Sequence, residues 1–205
     1  GFDTVKLKVG RDVQESLKLL REVHDTFPKL KMRLDFNGVS GPGALEFLLI
    51  ELGETAREQI DVIADPFPLS NPAWDTSRDK YGVKFAVDRG ISGANGEFDV
   101  SVLKPAINKT DRLCNAAQLS GRRVVVTSYM DHPVGQSYAA YCAGMMDRKY
   151  LGLIDKRCGL MTHGLFEPTE FTESLGNVSP FWKDDHCSTG LGFDDLLDKL
   201  DWDRL

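Results

Sequence analysis

The chain has 205 residues, 41% of them hydrophobic and 27% charged, with a formal net charge of −6 at pH 7. A chain of that length buries about 70% of its unfolded surface, as one large domain or two small ones. The acidic balance and the lack of any Lys/Arg-rich tract exclude a general nucleic-acid binder, and no apolar run reaches the ~18–20 residues of a membrane span.

The opening "GFDTVKLKVG" has no apolar core of the signal-peptide kind. Cys114, Cys142, Cys158 and Cys187 form neither a C-x-x-C pair nor a dense framework. The expectation is a reduced, cytoplasmic chain without a zinc site and with no nucleic-acid or membrane partner.

"TVKLKV" (4–9) alternates polar and apolar residues and reads as the first strand. A helix follows, with Val13, Leu17, Leu20 and Val23 on one face and Asp12 as its N-cap. "KMRLDF" (31–36) is the second strand. Leu45, Leu48, Leu49 and Leu52 then fall at i, i+3, i+4 and i+7, the buried face of a second helix. "IDVIAD" (60–65), "VKFAVD" (83–88), "VSVLKP" (100–105) and "RVVVTS" (123–128) continue the strands. Thr110 opens a helix that Gly121 closes, and "VGQSYAAYCAGMMDRK" (134–149) reads as a helix rich in small residues. Within it Tyr138, Tyr141, Met145 and Met146 sit at helical spacing and are expected in the core. "CGLMTH" (158–163) reads as a weaker last strand, and 190–205 as a short amphipathic helix with a solvated acidic face. This organisation places the site-bearing strands and helices in 1–169 and a helical tail, packed on them, in 170–205.

Strand and helix alternating in this way is the signature of a parallel α/β sheet, either closed into a barrel or doubly wound. No G-x-G-x-x-G follows the first strand and no G-x-x-x-x-G-K-[ST] occurs, which disfavours nucleotide-binding open sheets. The expected fold is therefore a TIM-type (β/α) barrel. Six or seven strands fall short of eight, and such barrels take about 250 residues, so the reading is a barrel incomplete at its N-terminus. The two exposed sheet edges this leaves predict a homo-oligomer, or a gap covered by the C-terminal tail.

Strands buried on both faces should be apolar to their ends, yet these end in charge. Lys6 and Lys8 are two apart and share a face, as do Asp35 and Asn37. Asp88 and Lys104 are each the last polar residue of an apolar run. In a parallel barrel such C-terminal ends meet at one mouth, where the active site lies. Converging carboxylates point to a hard divalent cation, Mg²⁺, and lysines beside it can act as bases. That pairing suits removal of a proton α to a carboxylate.

The stretches "VKLKVG", "LDFNG", "ADPFP", "VDRG", "LKPA", "VVTSYMDHPVGQ" and "CGLMTHGLFE" stand in order along 5–167. In that order the chain resembles the enolase superfamily, its muconate-lactonizing subgroup, and within it the o-succinylbenzoate synthase family. The resemblance implies a Mg²⁺-dependent syn dehydration of a succinyl-hydroxycyclohexadiene carboxylate to o-succinylbenzoate, a menaquinone precursor. It implies Lys8 as the base on one face, tuned by Lys6, and Lys104 on the opposite face stabilising the enediolate. It makes Asp35 and Asp88 the metal ligands with Asn37 beside them, and Thr127 and Ser128 the segment holding the distal succinyl carboxylate.

Two departures accompany it. Aligning Pro66 with the family's E-[QED]-P motif puts Ala64 where a third ligand is expected. Asp65 next to it points to the other face of a strand and is a poor replacement; Asp61 is also out of phase. Arg89 adds positive charge beside the cation. The family also carries an α+β capping domain and a first barrel strand that have no counterpart here.

The same two-lysine site serves N-acylamino acid racemases, which stay open as an alternative, as does a non-catalytic barrel relative. Dipeptide epimerases carry a D-x-D pair that "CGLMTHGL" lacks. His132 reads as a loop-ordering residue and His163 as structural; His24 and His186 lack supporting context.

Overall fold

The computed structural model describes residues 1–182 and 189–202. His186 and Cys187 lie outside the described residues. In chain order the elements are β1 (Thr4–Lys8), α1 (Val13–Thr26), β2 (Lys31–Asp35), α2 (Pro42–Leu52), α3 (Glu54–Arg57), β3 (Ile60–Ala64), α4 (Ala73–Tyr81), β4 (Phe85–Val87) and β5 (Val100–Leu103). α5 (Thr110–Leu119), β6 (Arg123–Val126), α6 (Pro133–Lys149), α7 (Glu170–Ser174) and α8 (Asp194–Leu197) complete them. The sheet takes its six strands in chain order, and from β1 to β5 every neighbouring pair is parallel.

The chain divides into two compact units. One comprises Phe2–Val102 with Ala117–Val124, the other Leu103–Ala116 with Val125–Leu205.

In the first unit the helices form for the reasons their sequences state. Asp12 Oδ1 accepts the Glu15 N–H at 2.9 Å, so one orphan donor at the start of α1 is satisfied, an effect of about 1 kcal/mol. Leu45, Leu48, Leu49 and Leu52 of α2 are all buried, and each such leucine contributes about 1.5–3 kcal/mol. Gly10, in the connection from β1 to α1, has φ +92°, where a Cβ would collide with the Phe36 ring; only glycine fits. Phe67, Trp74 and Phe85 form an edge-on cluster with centroids 5.0–6.4 Å apart. It pins the turn after β3 to α4 and β4, and so fixes the chain on either side of Asp65.

A mixed ion group lies near the N-terminal ends of the same strands. The register slips between Met32 and Arg33, where β2 pairs with β3, and Asp61 meets Arg33 Nε at 2.7 Å and Arg123 Nη1 at 2.9 Å. Burial alone would push the Asp61 carboxyl up, but the bonds from Arg123 and Arg33 outweigh it and hold it below its ordinary value of 3.8.

In the second unit α6 buries Gln136, Ser137, Ala139, Cys142 and Ala143. His132 is its N-cap, its Nδ1 accepting the Val134 N–H at 3.3 Å, and its ring meets Phe171 edge-on at 4.6 Å. Phe171 in turn lies 5.5 Å from Phe193, so α7 and the residues before α8 share one aromatic contact.

Three expectations are corrected. Residues 158–163 form no strand; Gly159 makes a single parallel bridge to Thr127, and Thr162 and His163 are drawn aside by hydrogen bonds to the Gln136 side chain. Tyr138, Tyr141 and Met145 are exposed, at 41%, 57% and 44%, because the small residues of α6 take the inward face. Of the helix expected over 190–205, the described residues to 202 show only the four residues of α8, and 203–205 lie outside the described residues.

Removing Asp61 leaves two guanidiniums facing one another in a half-buried site. Asp61→Ala is expected to lower the unfolding free energy by about 2–4 kcal/mol, discounted for partial exposure. Because the folded value is depressed, the carboxylate's contribution is present above pH ~4 and is lost as pH falls through the folded value. In urea titrations of wild type and variant from pH 7 down to 3 the gap should therefore begin to narrow below pH ~4; a constant gap across that range would contradict this.

Candidate functional site

The register of the first unit builds the site. Lys8 pairs with Asp35, Asp35 with Ala64, and Ala64 with Ala86. Side chains opposite one another in parallel strands share a face, so Lys8, Asp35, Ala64 and Ala86 form one row at the C-terminal ends of β1–β4. Lys6 lies two residues before Lys8, and Asp88 two beyond Ala86.

Lys6 joins the row together. Its Nζ is 2.9 Å from Asp35 Oδ2 and 3.1 Å from Asp88 Oδ2. Both carboxylates are nearly buried, at 5% and 6% side-chain exposure. Burial pulls the Lys6 ammonium down, but Asp88 and Asp35 together outweigh it and raise its pKa above 10.5. Lys6 thus contacts the two expected metal ligands directly.

Asp35 Oδ1 also accepts the Asn37 N–H at 3.1 Å. Asn37 has φ +51°, and its carbonyl accepts Arg89 Nη1 at 3.0 Å. Arg89 is therefore turned onto the β2 loop as a clamp, a role the sequence did not reveal. Lys8 is exposed and, among the described residues, makes no hydrogen bond or ion pair. It lines a cavity of about 510 Å³ with Arg11, Phe36, Asn37 and Arg89. An unpaired ammonium beside a cavity is free to meet a ligand.

Ala64 is 5% exposed and packs its methyl group in the carboxylate row. Asp65 does not replace the missing carboxylate. Its Oδ1 accepts the Asp88 N–H at 3.1 Å and its Oδ2 the Arg89 N–H at 2.9 Å. Burial pushes its carboxyl up to about 6, while those two N–H groups pull the other way.

The second unit holds the remaining predicted residues. Lys104 directly follows β5, and the turn after it is closed by its own N–H donating to Asn108 Oδ1 at 2.7 Å. Thr127 and Ser128 follow β6 and are buried. Ser128 Oγ lies 2.9 Å from Thr162 Oγ1 and accepts the Met130 N–H at 3.4 Å. The fully buried Gln136 was missed as a functional residue by sequence reasoning. Its Oε1 accepts the N–H groups of Thr162 and His163 and its Nε2 donates to the Asp131 carbonyl, which ties the Ser128 loop to the 159–163 segment. His163 is buried between Gln136 Oε1 and the Gly176 carbonyl, a structural setting.

Among the described residues no group of three or more His, Cys, Asp or Glu could hold a metal. A divalent ion would rest on Asp35 and Asp88. That donor set fits Mg²⁺, which commonly takes one or two carboxylates and completes its shell with water and substrate oxygens. The convergence of both carboxylates on one positive atom is the arrangement such an ion needs.

Comparison with known proteins follows the same lines. The chain is 35% identical over 211 residues to the o-succinylbenzoate synthase of Bdellovibrio bacteriovorus, covering all of this chain and 62% of that protein. The resemblance is to the enolase superfamily, and within it to o-succinylbenzoate synthase. The chain thus spans about three-fifths of that relative's length. No family model matches. Solved structures share the fold at lower identity. The muconate lactonizing enzyme of Pseudomonas putida aligns with a TM-score of 0.67 at 18% identity, over 82% of this chain and 49% of that one. The dipeptide epimerase of Enterococcus faecalis V583 aligns at 0.66 and 18%, over 83% and 51%. The six-stranded sheet with its intervening helices shares the fold of these two enzymes. No helix among the described residues is long and apolar enough to cross a membrane.

Lys6→Met leaves two nearly buried carboxylates without their cation. In metal-free protein at pH 7 it should cost about 1–2 kcal/mol of unfolding free energy, discounted because Lys6 is part-exposed. Part of that loss should return with millimolar Mg²⁺; urea titrations with and without the ion measure both, and an unchanged midpoint would contradict the contact.

Proposed function

We propose that this chain carries the site of a Mg²⁺-dependent carbon–oxygen lyase of the o-succinylbenzoate synthase type. The observation that carries the proposal is the meeting of Asp35 and Asp88 on one cation, in a row that also holds Lys8. The 35% identity over the whole chain supports the same reading.

The substrate is a succinyl-hydroxycyclohexadiene carboxylate. Lys8 takes the proton α to the carboxylate, then returns a proton to the departing hydroxyl, so the net change is loss of one water and formation of the aromatic ring. Lys6 stands two residues before Lys8 on the same face of β1, and the resemblance assigns it the tuning of that base. Asp35 and Asp88 would hold Mg²⁺, which when bound would supply electrophilic stabilisation to the substrate carboxylate. Lys104 is assigned the stabilisation of the enediolate by its charge, and Thr127 and Ser128 the hold on the distal carboxylate; both assignments come from the resemblance. Asn37 acts through its backbone, orienting Asp35.

Ala64 favours a second reading. With two carboxylates in place of three, ion binding is weakened, and the chain is a barrel relative with impaired or lost chemistry.

Loss of the substrate's diene absorbance, followed with and without Mg²⁺, separates the two. The lyase reading predicts metal-dependent turnover in the parent, reduced by at least about 10³-fold in Lys8→Ala. Ala64→Glu should lower the Mg²⁺ concentration needed for half-maximal rate. Turnover only in Ala64→Glu would establish the impaired relative, and silence in all variants would overturn the lyase assignment.

A further inference from the structure

Asp65 makes four hydrogen bonds to the backbone around the strand ends that carry Asp35 and Asp88. Its side chain accepts the N–H groups of Asp88 and Arg89 at 3.1 and 2.9 Å. Its carbonyl accepts the Gly38 N–H at 2.7 Å, and its own N–H donates to the Ala86 carbonyl at 3.0 Å. One residue after β3 therefore grips both the loop after β2 and the chain leaving β4.

The grip closes on itself. Gly38 follows Asn37, whose N–H orients Asp35, and whose carbonyl is held by the Arg89 guanidinium at 3.0 Å. Arg89 is in turn the residue whose N–H Asp65 binds. Asp65 is 8% exposed and sits at φ +44°, a left-handed conformation that is strained for a non-glycine residue. The conformation turns the side chain out of the alternation of β3 and onto the amides of the neighbouring strand end. Asn and Asp tolerate it better than other side chains, and here the bonds it makes possible offset it.

We propose that Asp65 is a positioning residue that fixes the spacing of Asp35 and Asp88 for a divalent cation, in a chain whose third carboxylate position is Ala64. The inference rests on the reading of Asp35 and Asp88 as the cation's ligands. Groups that orient a metal's ligands, rather than bind the metal, typically change affinity by roughly 10–100-fold when removed.

The test is Mn²⁺ binding, measured by the loss of the free-ion electron paramagnetic resonance signal, in wild type and Asp65→Asn. Amide hydrogen exchange is followed in both, and circular dichroism checks folding. Asparagine keeps the size and one acceptor but cannot accept both N–H groups. The expected result is Mn²⁺ affinity weaker by about 10-fold or more, with faster exchange at Asp88 and Arg89 and unchanged exchange at Leu48 and Leu49 in α2.

Weaker binding without faster exchange at Asp88 and Arg89 would reduce Asp65 to a remote charge and overturn the positioning role. Equal affinity in the two proteins would overturn it as well. Failure of wild type to bind Mn²⁺ would overturn the cation site and this inference together. If Asp65→Asn does not fold, wild-type exchange decides: protected amides at Asp88 and Arg89, slowed further by Mn²⁺, support the role, and amides as fast as an exposed loop overturn it.

Discussion

Two nearly buried carboxylates on strands separated by one neighbour cannot face each other without a positive charge between them. Desolvation and mutual repulsion would otherwise drive the strand ends apart. In this chain Lys6 supplies that charge to Asp35 and Asp88, and much of the first unit is arranged around the contact. It requires β1, β2 and β4 to end at matching heights, which the unbroken parallel register from Lys8 through Asp35 to Ala64 and Ala86 provides. The K-x-K spacing then leaves the second lysine on the same face, outside the ion contact and beside a cavity. One lysine neutralises the carboxylates and the other stays available, so the period of a β-strand separates two roles that residue type alone does not.

The opposite ends of the strands carry a group of reversed stoichiometry, one carboxylate between two guanidiniums. Asp61 between Arg33 and Arg123 belongs to stability, in keeping with the division of labour in parallel α/β folds, where chemistry collects at the C-terminal strand ends. The aromatic cluster of Phe67, Trp74 and Phe85 links core to site, because the turn it pins contains Asp65.

Much of this was legible in the sequence, and the boundary is physical. Periodicity and capping identified α1, α2 and α6 because amphipathic spacing and an Asp N-cap are local properties, and apolar runs marked six strands for the same reason. Polar residues at strand ends singled out Lys6, Lys8, Asp35 and Asp88. The roles of Asp65 and Arg89 were not legible. Strand alternation sends Asp65 to the wrong face, and only the left-handed backbone at that residue, invisible in the sequence, returns its carboxylate to the neighbouring amides. Arg89 read as a charge beside a cation, whereas its guanidinium is spent on the Asn37 carbonyl. The expected strand at 158–163 failed because Gln136 claims the backbone N–H groups of Thr162 and His163, a competition that apolar pattern does not record. Tyr138, Tyr141 and Met145 shared helical spacing with the core of α6, but periodicity does not say which of two faces is inside when the other is built of Ser, Ala and Cys.

The central claim is that Asp35 and Asp88 form a divalent-cation site despite the methyl group of Ala64. The most direct measurement is a crystal structure of the protein soaked in Mn²⁺, read by anomalous scattering. The account predicts one strong peak within about 2.0–2.3 Å of a carboxylate oxygen from each of Asp35 and Asp88, with Lys6 Nζ moved off both. A peak held elsewhere, or an ordered Lys6 still bridging the two carboxylates at saturating Mn²⁺, would contradict it.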